Sequence, residues 1–127
     1  MCRSILVVED NDDISLLLIL VLESAGYQVK AISNGKNALE TVAQIQPNLI
    51  LMDIMMPEVS GLEVSREIKT KPNYQSLPIL LVSAVDRLQE KQFDDSKADG
   101  IIYKPFDLNY LVSRVDELTN VRQAVAS

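Results

Sequence analysis

Five polar residues closing or following apolar runs have the types and spacing to do chemistry together. Ser4–Val8 (SILVV) ends in Glu9 and Asp10, Leu49–Met52 (LILM) ends in Asp53, Ile79–Val82 (ILLV) ends in Ser83, and Ile101–Tyr103 (IIY) is followed by Lys104. Asp53 raises the sharpest question, because a carboxylate drawn out of water with a greasy run is costly unless something compensates it. Three carboxylates held together repel one another and stay ionised only beside a cation. Oxygen ligands without histidine or cysteine suit a hard ion, Mg²⁺ first and Mn²⁺ as a second candidate. An added ammonium and hydroxyl complete a set that suits a phosphoryl group. Taken singly, Asp10 reads equally well as a helix cap, Ser83 as an ordinary loop serine, and Lys104-Pro105 as a solvated loop. Sharing one rim is what sets the five apart from those ordinary roles.

The elements that must position them alternate. Strands are expected at 4–8, 27–32, 49–52, 79–82 and 101–103. A first helix capped by Asp12 or Asp13 carries Ile14, Leu17, Leu18, Val21, Leu22 and Ala25 at helical spacing, and Gly26 stops it. Asn34-Gly35 is a turn, and Ala38, Leu39, Val42 and Ile45 line a second helix. Ser60 or Gly61 opens a third helix. Pro72 and Pro78 bracket a loop, a weak polar helix runs from Leu88 to Ser96, and a fifth from Asp107 to about Val121 turns Leu108, Leu111, Val112, Val115 and Leu118 inward. Strand then helix, repeated, is the signature of an α/β doubly wound parallel sheet. The strand C-terminal ends of such a sheet share one edge, which gathers the five polar groups.

Composition narrows the chemistry. The chain has 127 residues, 47% of them hydrophobic and 24% charged, as expected for one globular domain over 1–127 with a sizeable core. A net charge of -6 argues against direct nucleic-acid binding and against an anionic membrane surface. One cysteine, Cys2, allows no intrachain disulfide, and the absence of histidine removes Ser-His-Asp chemistry and histidine metal sites. The N-terminal stretch lacks a signal-peptide pattern, so a reduced, cytoplasmic setting is expected. GxxxxGK and GxGxxG are both absent, so a nucleotide fold is poorly supported.

With ILVVED, LILMDIMMPEVSG, PILLVSA and KADGIIYKPF in place, the chain resembles the receiver domain of bacterial two-component response regulators. The resemblance implies a flavodoxin-like five-stranded sheet in the order 2-1-3-4-5 with five helices. It implies that Asp53 accepts a phosphoryl group from a histidine kinase or histidine phosphotransfer protein. Asp10 and Glu9 would hold Mg²⁺ together with Asp53 and the backbone carbonyl of Met55. Ser83 and Lys104 would stabilise the bound phosphoryl group, Pro57 and Gly61 would shape the loop after Asp53, and Pro105 would follow a bond that is often cis. A downstream protein or a fused output domain, commonly DNA-binding, would read the switch, and turnover of an external substrate is not expected. A phosphorylation-independent interaction module is the alternative.

Some positions depart from the family's pattern. Ile101 stands where an aromatic switch residue is usual, so output coupling is expected to be altered. Met55 and Val85 are apolar where relatives often place polar groups beside the attacking water, so a persistent phosphoaspartate is expected. Leu16, Ile19 and Leu20 fall on the outward side of the first helix and read as a partner patch for a kinase or a second copy. Asp99 and Asp94 or Asp95, answered by Lys91 and Arg114, are candidates for dimer contacts.

Overall fold

Alternation along the strands divides the interior into two cores. In a computed structural model describing residues 3–84 and 88–126, with side chains through 120, the strands are β1 (Ser4–Val8), β2 (Gln28–Ile32), β3 (Leu49–Asp53), β4 (Ile79–Ser83) and β5 (Gly100–Tyr103). All pair in parallel, in the order β2-β1-β3-β4-β5. Successive side chains on a strand point to opposite faces. Ile5, Val7, Leu49, Leu51, Leu80 and Val82 therefore enter one core, and Leu6, Val8, Ile50, Met52, Ile79 and Leu81 the other. The three central strands are buried on both faces, which is why they read as unbroken apolar runs. The parallel sheet is the one the alternation implied, and the strand order is the one the resemblance implied.

The helices are α1 (Asp12–Ser24), α2 (Ala38–Ile45), α3 (Gly61–Lys69), α4 (Glu90–Ser96) and α5 (Leu108–Ala126), with single 3-10 turns at Gly35–Asn37 and Pro72–Tyr74. Leu18 and Leu22 of α1 and Leu111 and Val115 of α5 fill the first core. Ala38 and Val42 of α2 and Val64 and Ile68 of α3 fill the second, with Phe93 of α4 packed against it. The Tyr27 hydroxyl donates to Asp116, joining the α1–β2 corner to α5.

Several local expectations are corrected. Asn11, not Asp12 or Asp13, caps α1, its side chain accepting from the Ile14 N–H at 3.0 Å. Leu17 is 43% exposed and Ala25 lies at the exposed C-cap, so neither belongs to the inner stripe of α1. Asp99, a candidate for dimer contacts, pairs within the chain with the buried Lys69 at 2.7 Å and accepts from the Ile79 N–H at 2.8 Å. Arg114 pairs with Glu117 at 2.9 Å on its own helix. Cys2 and Val85 lie outside the described residues. Among the described residues, no helix is long and apolar enough to cross a membrane.

Candidate metal and phosphoryl site

β1 and β3 are neighbours, with Val8 in register with Met52. The next residue on each strand is therefore a carboxylate, Glu9 and Asp53, at adjacent places on the rim. Both are buried, 2% and 4% exposed, whereas Asp10 turns out to solvent. One carboxylate oxygen from each of Glu9, Asp10 and Asp53 lies within 4.8 Å of the other two. Lys104, at the end of β5, reaches across the rim. Its Nζ is 3.2 Å from Glu9 Oε1 and 3.7 Å from Asp53 Oδ1, so the ammonium leans on Glu9 more closely than on Asp53.

The electrostatics of this arrangement are incomplete. Burial first, and then Glu9, push the Asp53 carboxyl up from its ordinary 3.8 to about 7, and Lys104 only partly opposes this. A rim with three carboxylates and one ammonium lacks positive charge in the space the carboxylate oxygens enclose. That space, walled by oxygen ligands alone, fits a hard divalent ion.

The loop after β3 is held by close backbone approach. The Gly61 N–H donates to Ile54 O at 2.9 Å, and a Cβ on Gly61 would lie 2.2 Å from the Asp53 carbonyl oxygen. Only glycine lets α3 begin this near the end of β3. Ser60 caps α3 by accepting from the Leu62 N–H at 3.1 Å. Within the loop the Met55 N–H donates to Asp53 Oδ1 at 3.3 Å, while the Met55 side chain is exposed. Exposed Pro57 precedes Glu58, which has a φ of 72°.

Ser83 is fully buried, and its carbonyl accepts from the Lys104 N–H at 2.7 Å. By strand alternation it shares the face of Ile79 and Leu81, opposite to that of Asp53. The Lys104-Pro105 bond is cis. Ile101 is half-buried and packs against the second core, whereas neighbouring Tyr103 is exposed. On α1, Leu16 and Leu20 are 56% and 58% exposed, as the spacing required, but Ile19 is half-buried and Leu17 joins the outer face in its place. Sequence spacing missed Leu17 because it sits at the margin between the two faces.

Comparison with known proteins agrees with this geometry. Residues 5–116 match the family described as the response regulator receiver domain. The chain is 36% identical over 115 residues to the DNA-binding dual master transcriptional regulator RpaA of Synechocystis, covering 90% of this chain and 48% of that protein. It is 38% identical over 112 residues to the transcriptional regulatory protein YkoG of Bacillus subtilis, covering 87% and 48%. The chain thus spans about half the length of the curated relatives it matches. Among solved structures, the response regulator TrrA of Thermotoga maritima, in complex with Mg²⁺ and BeF, superposes with a TM-score of 0.82 at 33% identity, covering 91% of this chain and 98% of that one. The receiver domain of a signal transduction histidine kinase from Syntrophus aciditrophicus gives 0.83 at 30% identity, covering 94% and 91%. The chain belongs to the response regulator receiver domain family.

Proposed function

We propose that this chain is a phosphorylation-controlled switch in which Asp53 is the acceptor. The observation that carries the reading is the buried Asp53 carboxylate, gathered with Glu9 and Asp10 within 4.8 Å and faced by Lys104. An Asp53 oxygen attacks the phosphorus of a phosphohistidine, the P–N bond breaks, and the imidazole leaves and takes a proton from solvent. Lys104 favours the ionised carboxylate that this attack needs and afterwards pairs with the new phosphoryl oxygens, as the Ser83 hydroxyl does. Glu9, Asp10, Asp53 and the Met55 carbonyl would hold Mg²⁺, which would supply the charge that lets two anions approach. Mn²⁺ has the same ligand preference. Receiver domains of this family are not catalysts on external substrates.

The donor is a histidine kinase or phosphotransfer protein, and it docks on the outer face of α1. Leu16, Leu17 and Leu20 form an apolar ridge there, and the helix begins beside the site, where Glu9 Oε2 accepts from the Asn11 N–H at 3.4 Å. Asp12 and Asp13 at the start of α1 and Glu23 near its end border the ridge, which suits a basic partner better than a second copy of a chain with a charge of -6. The likeness to RpaA supports a DNA-binding output domain on a longer parent chain, and the cytoplasm is the proposed setting. Half-buried Ile101 offers less reach than an aromatic side chain, and the conformational response on the α4–β5–α5 face is correspondingly small.

The test is intact mass after incubation with acetyl phosphate and Mg²⁺, where a P–O bond breaks and acetate leaves. One added phosphoryl group, lost in Asp53→Asn and on chelation, is expected. No gain from either acetyl phosphate or a phosphohistidine donor would favour the phosphorylation-independent interaction module.

A further inference from the structure

The turn between β2 and α2 contributes nothing to the carboxylate cluster, yet it is packed tightly on the loop that leaves Asp53. A Cβ on Gly35 would lie 3.0 Å from Met56 Cε, 3.0 Å from Val59 Cγ1 and 3.1 Å from Val64 Cγ2, so these side chains seat directly on the glycine. The next residue, Lys36, reaches Glu58 at 2.7 Å. Glu58 is where the loop backbone is least comfortable. Its φ is 72°, in the left-handed region, and the Val59 N–H donates to Pro57 O at 2.8 Å, closing a three-residue turn around it. That turn is sparsely populated for a residue with a side chain, and such a conformation persists only when its surroundings hold it. Lys36 is the cation that faces the Glu58 carboxylate, and it holds that carboxyl below the usual range.

We propose that Gly35 and Lys36 are positioning residues for the metal site, acting as a latch that fixes the β3–α3 loop and with it the backbone at Met55. Gly35 sets how near the loop lies to the β2–α2 turn, and Lys36 holds the strained turn at Glu58. Neither touches the cluster. Both act through three residues of backbone, Met55 to Pro57, on the carbonyl that is to face the ion. The inference rests on the reading of Met55 as a ligand, and its test separates the two.

The sign of one effect decides the matter. Lys36 is a cation beside an acidic rim, so by Coulomb attraction alone Lys36→Met would tighten Mg²⁺ binding. A latch requires the reverse. The experiment is titration of the unphosphorylated full chain with Mg²⁺, followed by backbone amide NMR, for the wild type, Lys36→Met, Glu58→Gln, Gly35→Val and the charge-exchanged pair Lys36→Glu with Glu58→Lys. Exposed ion pairs are modest, so Lys36→Met is expected to weaken Mg²⁺ binding about threefold. Gly35→Val is expected to weaken it by more, and the exchanged pair to restore it. The amides of residues 55–59 should shift in metal-free Lys36→Met while the melting temperature stays within a few degrees. Binding that is equal or tighter in Lys36→Met, with the wild type binding Mg²⁺ in a manner lost on Asp10→Asn, overturns the latch and leaves the site reading intact. No Asp10-dependent binding in the wild type overturns both.

Discussion

In the metal-free protein, replacing Asp53 by asparagine should stabilise the fold, by an amount that grows as pH rises from about 4 to about 7. The folded state keeps a proton on the buried carboxyl up to about pH 7, whereas the unfolded chain releases it near 3.8. Between those values the folded state binds more protons, so stability falls as pH rises through that window. A rise of roughly 3 pH units at ~1.36 kcal/mol each sets a ceiling of about 4 kcal/mol. The rise is shared with the neighbouring Glu9, so about 2 kcal/mol is a working figure. For a chain of this length, with an unfolding entropy of ~2.1 cal/mol/K per residue, this corresponds to ~7 °C in melting temperature. The assay is thermal denaturation with a chelator at about pH 4 and about pH 8, wild type against Asp53→Asn. The variant should melt higher at the upper pH and much closer to the wild type at the lower, where little of the penalty on the ionised carboxyl has developed. Saturating Mg²⁺ should close the gap at the upper pH by stabilising the wild type. A melting difference that is the same at both pH values would refute the reasoning, because burial of an ionisable group would then not be its source.

Gly61→Ala places a Cβ against the Asp53 carbonyl. Equilibrium denaturation should show a loss of ~2 kcal/mol or more, together with slower phosphorylation by acetyl phosphate. Lys69→Met breaks a pair between a buried ammonium and a partly exposed carboxylate, and water can solvate the Asp99 left behind, so it should cost only ~1 kcal/mol in urea titration while phosphorylation persists. Met55→Asn gives the site a side chain that can orient water, and phosphoryl loss followed by intact mass should quicken several-fold; an unchanged lifetime would count against the shielding role. Leu16→Glu should weaken phosphotransfer from a cognate kinase and leave the acetyl phosphate rate unchanged.

The sheet was legible because its central strands are covered on both faces and so are written as unbroken apolar runs, each closed by a polar residue at the same edge. Glu9, Asp53 and Lys104 could be placed from that pattern alone. What the pattern did not carry was geometry off the rim. The cap at Asn11 was hidden because three acceptors in a row, Asn11, Asp12 and Asp13, are chemically equivalent candidates and only the backbone angle separates them. The pairing of Lys69 with Asp99 spans two elements, and no local period announces it. The margins of α1 were misplaced, exchanging Leu17 for Ile19, because the two lie about 200° apart, one at each edge of the face marked by Leu16 and Leu20, and both are apolar.

The division of the interior by the sheet has a consequence for how mutations combine. Among the described residues, the apolar side chains of α1 and α5 are separated from those of α2 and α3 by the sheet, since each strand sends alternate residues to separate cores. Energetic coupling decays when side chains share no neighbours. Substitutions such as Leu22→Ala and Ile68→Ala, one from each side, should therefore add in free energy, and homologous chains should be able to repack one side without retuning the other. The exception is the rim. There Asp53 lies on one side by alternation and Ser83 on the other, so a group bound between them is the place where the two halves of the molecule become thermodynamically one.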